Sequence, residues 1–349
     1  MPRLLLLIPT TSYRTKDFLS AAIKAGVDVT VGSNDHNVLS ELQPEGTLTI
    51  DFNNLNGSVK TIKSFNKRHP VVSIIGVDEQ TCLIAVKASK ELKLPHNSYE
   101  SVKATCNKYL FRKTLKNSGL LTPNFQCLKP GTDVTFISNS ADYPCILKPV
   151  NRSASQGVIR VNNQKEFQSA FQRITSLAPG EDIIMEDFLP GEEVSLEGIL
   201  RDGKLTTFAI FDKPDPLDGP FFEETIYITP SQHPASMQDA LHNTVQDAAN
   251  ALGIKEGPVH AELRLRHSEP FANEKGPWLI ELATRSIGGL CSRSLTFNGN
   301  HSLEDLIIAH ALQEPLGSAK RENTASGVMM IPIPTLGILK SVEGEIEAR

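Results

Sequence analysis

Several familiar signatures are missing from this sequence. Its 349 residues hold five cysteines, Cys82, Cys106, Cys127, Cys145 and Cys291, widely spaced, without a CxxC and odd in number. A zinc knuckle and a disulfide-built scaffold are thereby excluded, and a reducing, cytoplasmic setting is expected. There is no charge excess of one sign beyond a formal −5, from 35 Lys+Arg against 40 Asp+Glu. A phosphate-tracking nucleic-acid surface normally needs a basic excess or a concentrated basic stripe, so a general nucleic-acid binder is not expected. The longest early apolar run, Leu4–Ile8, is too short to span a bilayer and lacks a signal-peptide cleavage site, so no membrane partner is expected. Repeats and low-complexity tracts are absent.

What remains is an ordinary globular composition, 40% hydrophobic and 21% charged, long enough for about two domains. Leu4–Ile8 reads as a buried strand, Lys16–Ala25 as a helix and Val27–Val31 as a second strand. Val71–Gly76 and Gln80–Leu92 repeat the strand-helix pattern, so residues 1–98 read as a small parallel, Rossmann-like α/β domain. A dinucleotide site would place GxGxxG at the first strand-to-helix turn, but that turn is Pro9-Thr10-Thr11-Ser12-Tyr13. A nicotinamide cofactor is therefore not expected, and Asp35 reads as a turn residue.

A helix is expected over Glu100–Asn117, stopped by Ser118-Gly119. Strands follow at Cys145–Pro149, Val158–Val161, Ile183–Glu186, Val194–Leu200 and Thr206–Ile210, with one helix at Lys165–Ile174. The stretch Phe211–Glu224, rich in Asp, Pro and Gly, reads as a substrate loop. Ala235–Leu252 and Ser302–Gln313 read as helices, His260–Leu265 and Trp278–Leu282 as adjacent strands. Gly327–Pro332 and Gly337–Val342 read as new strands close to Arg349, the pattern expected of a fragment or of a chain short of its final lobe.

Two stretches carry chemistry. Lys148 closes an apolar strand and is followed by Arg152-Ser153-Ala154-Ser155-Gln156-Gly157, offering phosphates a cation, hydroxyls and backbone N–H groups. Glu262 and Glu281 each sit inside an apolar strand pattern, where an unpaired carboxylate is costly. A Mg²⁺ ion, which prefers oxygen ligands, would explain them; ion pairs of Glu262 with Arg264 or Arg266 and of Glu281 with Arg285 would explain them equally. His260 reads as a core histidine and is left outside the site.

Taken in order, Lys108, Lys148 with its turn, Ile183–Glu197, Glu262 and Glu281-Leu282-Ala283-Thr284-Arg285-Ser286-Ile287-Gly288-Gly289 resemble the ATP-grasp superfamily over about residues 1–345. The likeness is strongest to its carboxylate–amine ligases, the L-amino-acid ligase and carnosine-synthase-like branch. It implies an α/β and α+β architecture, with residues 1–98 preceding an ATP-grasp domain at 99–349, a lid-type subdomain at about 125–190 and a C-terminal subdomain at about 191–349. It implies that Lys108 and Lys148 hold ATP phosphates under the loop Ser153–Gly157, including Ser153, Ser155 and Gly157. Glu186, Asp187, Phe188 and Leu189 would read adenine, and Glu193 the ribose. Glu262 and Glu281 would hold Mg²⁺, or Mn²⁺ in its place, and Arg285 would act with Lys148 as a catalytic cation. Ala283 departs from the pattern, standing where many relatives carry a third, asparagine ligand.

The reaction this implies joins an amino-acid-like carboxylate to an amine through an acylphosphate, in a cytoplasmic enzyme that family analogy makes a homodimer. The alternatives are another ATP-grasp chemistry, of carboxylase or purine-pathway type, and a non-catalytic nucleotide-binding regulator.

Overall fold

The computed structural model describes residues 1–35, 45–265, 276–317, 319–331, 333 and 337–344. The apolar run at the start becomes β1 (Arg3–Leu7), which lies in a parallel sheet between β2 (Asp28–Ser33) and β4 (Ser73–Gly76), with β3 (Thr47–Thr49) outside β2. Both faces of β1 are buried, which is why its sequence is continuously apolar. Leu4 and Leu6 pack towards α1 (Thr15–Lys24), and Leu5 and Leu7 towards α2 (Leu55–Asn66) and α3 (Glu79–Leu92). Asp78 caps α3 by accepting from Thr81 N, whose own hydroxyl accepts from Asp78 N, so the helix starts directly beyond the carboxyl end of β4.

The single helix expected over 100–117 is two: α4 (Tyr99–Cys106) and α5 (Lys108–Asn117). Asn107 takes an extended conformation and its side chain accepts from Leu110 N at 2.9 Å, so it ends one helix and caps the next. Next comes an antiparallel sheet in the order β5 (Phe125–Leu128), β8 (Ile183–Asp187), β6 (Cys145–Pro149), β7 (Ile159–Val161), covered by α6 (Val134–Ser140) and α7 (Gln164–Leu177).

The largest sheet has six strands. In spatial order they are β13 (Pro277–Ala283), β12 (Gly257–Leu265), β9 (Glu192–Arg201), β10 (Lys204–Lys213), β11 (Ile226–Thr229) and β14 (Ser326–Met329). Helix α8 (Ala235–Leu252) covers one face through Leu241, Val245 and Ala249, and α9 (Leu303–Ala311) lies against the parallel layer. Because β10 runs on to Lys213, the expected loop starts at Pro214 and not at Phe211. Residues 337–344 form no strand: Ile338 and Leu339 are 85% and 81% exposed, so no sheet edge takes them up. Among the described residues no helix is long and apolar enough to cross a membrane.

Candidate active site

The two antiparallel sheets, with the turns that follow β1 and β4 of the parallel layer, wall one cavity of about 390 Å³. That is within the range of small-molecule sites. Lys108, Lys148, Ser153 and Ser155 line it together with Glu186, Asp187, Phe188, Leu189 and Glu193, and Glu262, Glu281 and Arg285 complete the wall. Gly157 does not line it. Its φ of +76° serves the turn, and a Cβ there would stand 3.1 Å from Leu177 and Pro149.

The cationic wall is built around one buried carboxylate. Arg112, which the sequence analysis passed over, lies one helical turn beyond Lys108 on α5, so both face the same way. Its Nε donates to Glu186 Oε2 at 2.8 Å, its Nη2 to Oε1 at 3.2 Å and its Nη1 to the Leu279 carbonyl at 2.7 Å. Lys148 Nζ donates to Glu186 across the β6–β8 pair. Burial pushes Glu186 up, but Arg112 and Lys148 outweigh it and hold the carboxyl at about 2. Lys148, sharing that one negative charge with Arg112, is pulled down to about 8, chiefly by burial and further by Arg112 and Lys108. Lys108 and Lys148 face the cavity and Arg112 lies buried behind them, three cations around one anion, a surplus that suits a phosphate chain.

The opposite wall is acidic. In the antiparallel register of β12 and β13, Glu262 pairs directly with Glu281, so both side chains share one face. Burial raises Glu262 above the usual carboxylate range, with Glu193 and Glu281 adding to it against the pull of Lys213. Glu281 is pushed up by burial but held low overall, with Lys108 Nζ 3.6 Å away and Arg285 and Lys148 also near. This all-oxygen pair, one member of it short of positive charge, fits a hard divalent cation.

The ion pairs differ from those the sequence suggested. Arg285 pairs with Glu79 at the head of α3, at 2.8 Å, and not with Glu281. Arg264 pairs with Glu193, at 3.1 Å, and not with Glu262, while Arg266 lies outside the described residues. His260 is buried as expected but lines the cavity, between Glu197 at 3.2 Å and Glu262 at 3.5 Å. At the end of β8 and just beyond it, Asp187 N donates to Asn124 O and Phe188 N to Pro144 O, and Leu189 O accepts from Arg264. Those three backbone groups are thus engaged within the protein.

The loop after β13 is held from two layers. Ile287 N donates to both oxygens of the fully buried Glu197, at 3.1 and 3.2 Å. Arg14 reaches from the first turn of the parallel layer to Ser286 and to the Val77 carbonyl, and Gly289 N donates to Tyr13 Oη. Arg14 carried no sequence signal and Glu197 stood only at the end of the Ile183–Glu197 stretch, with no role legible, because their partners lie 272 and 90 positions away.

A family model described as an ATP-grasp domain matches residues 141–294, which hold Lys148, Glu186 to Leu189, both strand glutamates and Arg285. The chain contains an ATP-grasp domain. The L-amino acid ligase of Bacillus licheniformis superposes on this chain with a TM-score of 0.80 at 24% identity, over 100% of this chain and 85% of that one. Dapdiamide A synthase of Enterobacter agglomerans is 26% identical over 241 residues, 67% of this chain and 55% of the synthase. The ATP-grasp enzyme fsqD of Aspergillus fumigatus is 25% identical over 272 residues, 70% of this chain and 45% of that protein. The chain spans about half the length of these curated relatives.

Proposed function

We propose that this protein is an ATP- and Mg²⁺-dependent ligase that joins a carboxylate to an amine. The observation that carries this reading is the charge layout of one cavity: Lys108 and Lys148 on one wall with Arg112 buried behind them, the Glu262–Glu281 pair on the other and Arg285 beside that pair. Similar proteins whose names include dapdiamide A synthase and L-amino acid ligase support the choice of carbon–nitrogen bond formation and of amino-acid-like substrates. The reading keeps residues 1–98 as a preceding domain and 99–349 as the ATP-grasp region, in a cytoplasmic enzyme.

In this reading the substrate carboxylate attacks the γ-phosphorus of ATP, ADP leaves, and an amine then displaces phosphate from the acylphosphate to form the amide. Glu262 and Glu281 would hold Mg²⁺, which when bound neutralises phosphate charge. Lys108 and Lys148 hold the phosphate oxygens, and the Ser153–Gly157 turn covers them and keeps water out. The Glu186–Leu189 hinge borders adenine, and Glu193 faces the ribose hydroxyls. Arg285, fixed by Glu79, presents a planar fork to the carboxylate or phosphoryl oxygens as charge moves between them.

The test is ADP and phosphate release with pooled amino acids and small carboxylates, for the parent, Lys148→Ala and Glu281→Ala. Release that needs both a carboxylate and an amine, and is lost in both variants, is the expected result. Release that needs no amine, or nucleotide binding with no turnover in any pool, overturns the ligase reading.

A further inference from the structure

Lys213 has no part in the mechanism above, yet it is 2% exposed at its side chain and points into the acidic wall. Its Nζ donates to Glu193 at 2.8 Å and to Glu224, and lies 3.8 Å from Glu262. The three carboxylates come from β9, the 214–225 loop and β12, and one oxygen from each lies within 4.8 Å of the others. Tyr227 closes the arrangement, with its ring 4.9 Å from Nζ and its hydroxyl donating to Glu224. Three carboxylates so close, Glu193 buried and Glu224 and Glu262 half-buried, repel one another unless a cation stands among them, and an all-oxygen set of this kind suits a divalent ion.

The geometry points to Lys213 as a tethered counter-ion: its ammonium fills the position that Glu193, Glu224 and Glu262 would otherwise give to a divalent cation, and so leaves Glu262 to face Glu281. Lys213 is in this sense a positioning residue. That Glu262 and Glu281 form the working metal site rests on the ligase reading, whereas the occupancy of the three-carboxylate cluster does not. The ammonium has a fixed length of side chain and a place on a central strand, so it holds the three elements in register without competing for nucleotide-bound metal. Arginine at this position would keep the charge.

The experiment counts Mn²⁺ bound per chain in nucleotide-free protein, by electron paramagnetic resonance of the free ion during titration. Lys213→Met is expected to bind one Mn²⁺ more than the parent, and Lys213→Arg the same number as the parent. Where Lys213→Met does not fold, the pair Lys213→Met/Glu193→Gln against Glu193→Gln alone serves, because one carboxylate is removed while Glu224 and Glu262 stay. One additional ion is expected there too. An unchanged count in a folded variant lacking the lysine, or an added ion in Lys213→Arg, overturns the inference. Since no nucleotide or turnover enters the count, its failure is distinct from failure of the ADP-release assay.

Discussion

Glu186→Gln removes one charge from the site and almost nothing from its shape. In the parent, one carboxylate, 5% exposed, neutralises two cations, Arg112 at 1% and Lys148 at 5% exposure. Glutamine keeps an acceptor for one of them and leaves both cations buried without a counter-charge. Two independent routes give the size of the effect. A carboxyl held at about 2 against an ordinary 4.5 favours its ionised form in the fold by about 3 kcal/mol, at roughly 1.4 kcal/mol per pH unit. Removing one partner of a buried ion pair costs about 3–5 kcal/mol.

The loss of stability at pH 7 is therefore expected to be about 3 kcal/mol, read from urea unfolding. Trp278, the single tryptophan, is 4% exposed on β13 and supplies the fluorescence signal, with far-ultraviolet circular dichroism as the check that both probes report one transition. The pH dependence has a definite sign. Because the folded carboxyl lies below its ordinary value, its contribution is fully present above about 4.5 and is lost as pH falls towards about 2. The gap between parent and Glu186→Gln should thus stay constant from pH 7 to 5 and close below that. A gap under about 1 kcal/mol at pH 7, or one that widens on acidification, would refute the account of a single carboxylate serving two buried cations.

Nucleotide affinity should fall as pH rises above about 8, because free Lys148 then loses the proton that a bound phosphate would restore. Calorimetry of ADP binding in buffers of different ionisation enthalpy should show proton uptake near pH 9, absent in Lys148→Met. Glu79→Gln takes the negative charge from the partner 2.8 Å from the Arg285 guanidinium, so kcat should drop with little change in nucleotide affinity; an unchanged kcat would remove Glu79 from the site. At Gly76 an added Cβ would lie 2.7 Å from the Cys82 backbone N and Cα. Gly76→Ala should therefore lower stability by about 1–3 kcal/mol through a shift of β4 against α3, visible as a lower melting temperature.

The sequence carried the strands well wherever burial on both faces left a continuous apolar run. Cys145–Pro149 and the helix Ala235–Leu252 coincide with the observed elements, and the adjacency of the strands bearing Glu262 and Glu281 holds. Helix α2 was missed, although Val59, Ile62 and Phe65 recur at helical spacing and Asn54 caps it, because Asn, Gly, Ser and Lys dilute the apolar signal between them. Asn107 shows the reverse problem: a helix pattern runs through a residue whose side chain is better used as a cap. Arg112 was legible in principle, since it stands four positions after Lys108 on one helix face. Its partner was not, because a salt bridge across 74 positions leaves no periodicity to read.

The same distinction explains how the cavity is assembled. One wall is net positive and the other net negative, and behind each stands a buried cation that touches no substrate in the proposed reaction: Arg112 beside Lys148 and Glu186, and Lys213 beside Glu193 and Glu262. Lys108 links the walls, 3.6 Å from Glu281 while it donates to the Arg152 carbonyl beside the phosphate turn. A polyphosphate with a bound cation is itself a dipole of this kind, its oxygens negative and its metal positive. Such a ligand would complete both walls at once, whereas a simple anion would satisfy only the first and a free cation only the second. In the proposed reaction, discrimination in favour of a metal–nucleotide complex would then follow from the background charges of Arg112 and Lys213, both almost fully buried.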